Sequence, residues 1–99
     1  MENNQKTSDQ PQVDFLAYVA SLGFQVMVFL GEIESPVTKK KEENLLQAKL
    51  IIDTLSMLRD KTKGNLEAQE ENLLSTSIYE LQMKYIDKTT PKKEVEKGD

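Results

Sequence analysis

The sequence predicts an all-α fold: a three-helix unit of one long hydrophobic helix and an antiparallel helical hairpin, paired into a helical-bundle homodimer. Three observations lead there. Three blocks of roughly 18 to 22 residues are separated only by Gly31, Ser35-Pro36 and Lys63-Gly64-Asn65, and each exceeds the usual length of a strand. Asn-Gly and Asp-Gly hairpin signals are absent from the chain. The first block is also more apolar than a monomeric three-helix bundle requires, so a second copy is the expected cover.

The chain has 99 residues and a net charge of −4, from 13 basic and 17 acidic residues. One core is the most this length supports. Without Cys, His or Trp, disulfides, thiolate nucleophiles, Cys/His zinc sites and histidine acid-base catalysis fall outside the inventory. A net negative chain also lacks the field that draws nucleic acid or anionic lipid.

Residues 1–12, MENNQKTSDQPQ, hold no apolar residue after Met1 and are expected to form a disordered N-terminal arm. Residues 13–87 make the helical domain, and residues 88–99 a disordered charged tail whose one aliphatic residue is Val95. A core of that size rarely supplies more than about 3 to 5 kcal/mol, for which association is a common remedy.

The first helix is expected over Val13 to Leu30, where 14 of 18 residues are apolar and no charge falls between Asp14 and Glu32. A helix apolar nearly all round must be enclosed by protein or lipid. The uncharged run from Phe15 to Gly31 sits at the lower limit of a membrane span and contains Gln25, which favours a buried helix. Gly23 costs about 1 kcal/mol relative to Ala in a helix interior. With Ala17 and Ala20 it forms a strip of small residues where another backbone could approach, and Phe24 and Met27 complete the candidate dimer interface. The same strip could instead face the chain's own hairpin. Gly31 is expected to end this helix, and Ser35-Pro36 to prevent its continuation.

The second helix follows Lys39-Lys40-Lys41, with Asn44 before its first apolar residue, Leu45. Leu45, Ala48, Ile52 and Leu55 recur at helical spacing beside Ile51 and Leu58, and Leu46, Leu50 and Met57 make a second row. Asp53 is placed to pair with Lys49 one turn earlier. The third helix is expected from Glu67 to Ile86, with Leu66, Leu74, Ile78, Leu81 and Tyr85 inward and Leu73 and Tyr79 flanking.

Between these helices, Lys61-Thr62-Lys63-Gly64-Asn65-Leu66 is the most specific local signal. Lysines at a helix C-terminus meet the negative end of its dipole, Gly64 suits a left-handed cap, Asn65 suits the cap of the next helix and Leu66 closes the corner. Thr62 is the residue this reading leaves unexplained. Lys61, Thr62, Lys63, Gly64 and Asn65 are also the candidate anion or partner site, since free amides at a helix start attract phosphate or carboxylate. The glycine that a phosphate loop needs five residues before its lysine is missing, so the corner reads first as a cap.

On these residues the chain resembles an uncharacterised bacterial family, domain of unknown function 1844. The resemblance rests on Leu30-Gly31 with Pro36, Asn44-Leu45 with Ala48, and Ile52-Asp53 with Leu55. It continues through the string from Lys61 to Leu66, then Glu70, and Tyr79-Glu80-Leu81 with Tyr85, covering Phe15 to Asp87. It implies a small helical protein and carries over no catalytic residue. The chain departs from the family pattern at Val37 to Lys41, lysine-rich where a glycine turn is frequent, and at Glu67, where a capping Ser or Thr is usual.

The expected function is that of a non-enzymatic, cytoplasmic helical protein that self-associates and docks a further protein partner, with no catalytic residue, cofactor or metal. The alternatives are a membrane-associated adaptor using residues 13–31 and a small anion-binding protein using the corner. An enzyme would have to draw on Asp53, Lys61 and Tyr79, which show no convergent spacing. Nucleic acid would have only Lys39 to Lys41 or the tail lysines, both diluted by Glu.

Overall fold

Asp14, Asn44 and Glu67 each stand at the start of a helix, and the three helices they open make the fold. The computed structural model describes residues 13–90, and among these there is no strand. Helix α1 spans Phe15–Phe29, α2 Leu45–Lys61 and α3 Ala68–Thr89. The expected arm lies outside the described residues, as does the tail from residue 91 on. Helix α3 continues through Thr89, beyond the expected end at Ile86, and the Thr89 hydroxyl donates to the Tyr85 carbonyl at 2.9 Å.

The caps follow from side-chain chemistry. Asp14 accepts from the Leu16 N–H at 3.0 Å, and Asn44 accepts from the Gln47 N–H at 3.1 Å. At the far end of α1, the Glu32 N–H donates to the Met27 carbonyl at 2.9 Å and the Gly31 N–H to the Val28 carbonyl at 3.0 Å. With Gly31 at φ +80°, this is the paired-bond helix ending that a left-handed glycine permits.

Helix α1 buries Val19, Leu22 and Val26, and Leu30 just past its end is also fully buried. Helix α2 contributes Ala48, Ile52 and Leu55, and α3 contributes Leu74, Ile78 and Leu81. Each helix packs on both others. Lys49, Ile52 and Asp53 near the start of α2 share a groove with Gln82, Tyr85 and Ile86 near the end of α3, so the hairpin is antiparallel. Among the described residues no helix is long and apolar enough to cross a membrane. At 1.5 Å per residue, the 15 residues of α1 reach only about 22 Å, against roughly 30 Å of bilayer hydrocarbon.

Candidate functional site

The corner between α2 and α3 is built by its own hydrogen bonds. Thr62 caps α2: its N–H donates to the Leu58 carbonyl at 2.9 Å and its hydroxyl to the same carbonyl at 2.7 Å. That bond gives Thr62 the role the sequence leaves open. Gly64 has φ +84°, the left-handed conformation expected of it, and the Asn65 N–H returns to the Thr62 carbonyl at 2.8 Å. The expectation that Asn65 caps the next helix is corrected: α3 begins two residues later, with Glu67 at its cap. The Glu67 N–H donates to Glu70 Oε1 at 2.9 Å, a bond that needs a long side chain with an acceptor oxygen three residues on, where Asn65 has only Ala68.

Lys61, Lys63 and Asn65 are exposed at this corner. A cleft of about 130 Å³ beside it is lined by Arg59, Asp60, Thr62, Lys63, Gly64, Leu66 and Glu71. Its walls therefore carry two charges of each sign, and the first turn of α3 adds Glu70 to Glu71. An anion approaching Lys61 and Lys63 meets carboxylates alongside them, which lowers the local attraction.

The five candidate interface residues of α1 lie on an arc rather than in one patch. Gly23 looks inward, since a Cβ built there would stand 3.9 Å from Leu81 Cδ1 of α3. Ala20 and Met27 join it in a shallow groove whose other wall is Leu73, Ser77, Glu80, Leu81 and Lys84 of α3. Ala17 and Phe24 are exposed, and by helical spacing they share the outward side with Ser21 and Val28. Within the helix nothing on that side is charged, Asp14 at the N-cap sharing a hollow with Ala17 and Tyr18, and the Ser21 hydroxyl is used internally, donating to the Tyr18 carbonyl at 2.8 Å. The close approach that small residues permit is thus used at Gly23 by the chain's own third helix.

The hairpin carries larger exposed apolar side chains. On α2 these are Leu46, Leu50 and Met57, and on α3 Tyr79, Met83 and Ile86. Between the two rows runs a groove of about 240 Å³ walled by Lys49, Asp53, Gln82 and Ile86 over Ile52 and Tyr85. Lys49 Nζ stands 2.8 Å from Asp53 Oδ2, as the spacing anticipates. The hydrogen bond that Lys49 donates to Asp53, and then the charge of that carboxylate, hold the Lys49 ammonium above its ordinary pKa. From the sequence Tyr79 is expected only as a flank of the inner row, and Met83 belongs to neither row nor flank. The signal was present: Asn72, Thr76, Tyr79, Met83 and Ile86 recur at alternating four- and three-residue steps without a charge.

Asp53, Lys61 and Tyr79 are not gathered into a site. Asp53 and Lys61 lie more than two turns apart on one helix, roughly 12 Å along its axis, and Tyr79 stands out from α3 into solvent. Among the described residues no group of three or more Asp or Glu could hold a metal ion. No curated protein and no solved structure matches the chain. The model of the family described as "Domain of unknown function (DUF1844)" matches residues 12–87, most of the helical unit just described, and the chain belongs to that family.

Proposed function

We propose that this protein is a non-enzymatic helical module that works by association, with a second copy of the chain as its first partner. One observation carries the proposal: after the three-helix core is complete, every helix still turns apolar side chains to solvent. Tyr18 and Phe24 do so on α1, Leu46, Leu50 and Met57 on α2, and Tyr79, Met83 and Ile86 on α3. Scattered exposed apolar residues such as the α1 pair are ordinary, but those of α2 and α3 recur at helical spacing in rows, as contact surfaces do. Of the α1 interface expected from the sequence, Ala17, Ala20, Gly23, Phe24 and Met27, only Ala17 and Phe24 remain on the outward side for a second copy to meet.

Cytoplasmic location and docking of a further protein belong to the same proposal. Solution mass by light scattering, followed from low to high micromolar concentration, tests it. A dimer mass that falls on dilution is expected. A chain that stays folded and monomeric throughout would refute self-association, and recovery of the chain only in a detergent-requiring membrane fraction would refute the location.

A further inference from the structure

Self-association leaves open which face a second copy covers, and the structure offers two. Helix α1 exposes two large apolar residues, Tyr18 at 52% and Phe24 at 45%, six residues and so about 120° apart round the helix. The face of the hairpin turned away from α1 exposes six: Leu46 at 77%, Leu50 at 57%, Met57 at 46%, Tyr79 at 65%, Met83 at 49% and Ile86 at 52%. We infer that a second copy of this chain docks on the α2–α3 groove, hairpin against hairpin across a two-fold axis, so that α2 and α3 of both copies form a four-helix layer with each α1 on the outside. The inference rests on the self-association proposed above and names its surface.

Spacing places the six residues on one face. Leu46, Leu50 and Met57 lie one turn from Lys49 or Asp53, which wall the groove on the α2 side. Tyr79, Met83 and Ile86 lie in or one turn from the opposite wall, at Gln82 and Ile86. Helix α1 meets α3 on its other flank, at Leu73, Ser77 and Leu81, and leaves this groove uncovered.

Area separates the two faces. With roughly 200 Å² of full surface for each large side chain, the six exposed fractions leave on the order of 700 Å² of apolar surface. A standard interface buries about 800 Å² on each partner. The two large residues of α1 leave only about 200 Å² by the same measure.

Charge points to a copy rather than a foreign chain. The walls of the groove carry one cation and one anion, Lys49 and Asp53, both more than half exposed. A strongly acidic or basic partner finds no opposing field there. A two-fold axis through the groove brings two such neutral pairs together, with the Lys49 of each copy able to meet the partner's Asp53.

The test is a charge exchange at this pair, read as solution mass with helicity followed in parallel by circular dichroism. Asp53→Lys makes the pair doubly positive, Lys49→Glu makes it doubly negative, and each alone is expected to weaken the dimer about tenfold or more. Mixing the two variants is expected to restore the dimer mass. Leu50→Glu should abolish it, whereas Phe24→Glu on α1 should leave it intact, all four variants keeping wild-type helicity because these positions are exposed. A dimer lost with Phe24→Glu and kept with Leu50→Glu would overturn this surface while leaving self-association standing. So would a dimer indifferent to all four changes, or one that the mixture fails to restore. A wild-type chain that never dimerises overturns both readings.

Discussion

The two connections of the bundle each turn on a left-handed glycine, yet they hold it differently. Gly31, after α1, has φ +80° and sits under the start of α2: a Cβ there would stand 3.0 Å from Glu43 Cγ and 3.4 Å from the Glu42 carbonyl oxygen. Gly64, after α2, has φ +84° and nothing within 4 Å of its Cβ position. At Gly64 the chain needs only the backbone conformation; at Gly31 it needs the empty space as well. The long connection compensates for its length with tethers. The Asn44 N–H donates to the Phe29 carbonyl at 2.8 Å and joins its two ends, and Ser35 and Lys40 pair at 2.9 Å within it. The short connection has Thr62 and little else.

The largest expected effect falls on the side chain that anchors the long connection. Leu30 is fully buried, so Leu30→Ala should cost about 2 to 5 kcal/mol. Leu66, at the short corner, is partly buried against the core, and Leu66→Ala should cost roughly 1 to 2 kcal/mol. Chemical denaturation of both variants measures the difference. Equal losses would mean the two corners are held alike and the contrast is wrong.

The glycines sharpen it directly. Any side chain at a left-handed position adds about 1 to 2 kcal/mol, and crowding against Glu42 and Glu43 adds to that at position 31. We expect Gly31→Ala to destabilise by about 2 to 3 kcal/mol and Gly64→Ala by about 1 to 2 kcal/mol. Gly64→Val should in turn exceed Lys63→Ala, which changes an exposed side chain and should stay within about 0.5 kcal/mol. If Gly64→Val and Lys63→Ala melt at the same temperature, the left-handed corner is not what limits this turn.

These corners also mark where sequence is sufficient and where it is not. The glycines, the Asn44 cap and the inward rows of α2 and α3 are legible because each depends on neighbours a few residues away. Asn65 misleads because it is a good capping residue at the wrong register; the Glu67–Glu70 bond settles the start of α3 by geometry that composition does not reveal. Gly23 and Ala20 were legible as a small strip but not as to what they face, which only the placement of α3 decides. The groove face was hidden for a related reason: Leu46 and Leu50 on one helix and Met83 and Ile86 on another become one surface only after the hairpin closes.

Lys39 is a third left-handed residue, at φ +65°, and it is not a glycine. It lies in the lysine-rich stretch from Val37 to Lys41, and its N–H donates to the Ser35 carbonyl at 2.8 Å to close the turn. A lysine there bears strain that a glycine would relieve, partly offset by the greater freedom of glycine in the unfolded chain. Lys39→Gly should therefore stabilise by about 0.5 to 1 kcal/mol, which for a domain of this size raises the melting midpoint by a few degrees. A lowered midpoint would show that the turn depends on the lysine side chain and not on its backbone.

The smallest expected effect concerns an ion pair that ties the end of the long connection to α3. Lys88 Nζ, near the end of α3, lies 3.3 Å from Glu43 Oε2, beside the Asn44 cap of α2. Glu43 is also the side chain over Gly31, so the pair draws the end of α3 toward the most crowded point of the corner. Geometry alone makes it look like a clasp. Its exposure argues for a modest effect, because both side chains remain open to water, 30% for Lys88 and 52% for Glu43. Attraction between such charges is screened and opposed by side-chain entropy, leaving roughly 0.2 to 1 kcal/mol. Lys88→Ala should thus destabilise by no more than about 0.5 kcal/mol at low salt, and the gap from wild type should close in 1 M salt, where screening reaches about 3 Å. Glu43→Ala should behave differently, since it removes the same pair but also opens the space above Gly31: in that background Gly31→Ala should lose part of its cost. A double-mutant cycle on Gly31 and Glu43 measures that coupling, and strict additivity would mean that backbone strain, not crowding, accounts for all of the cost at Gly31.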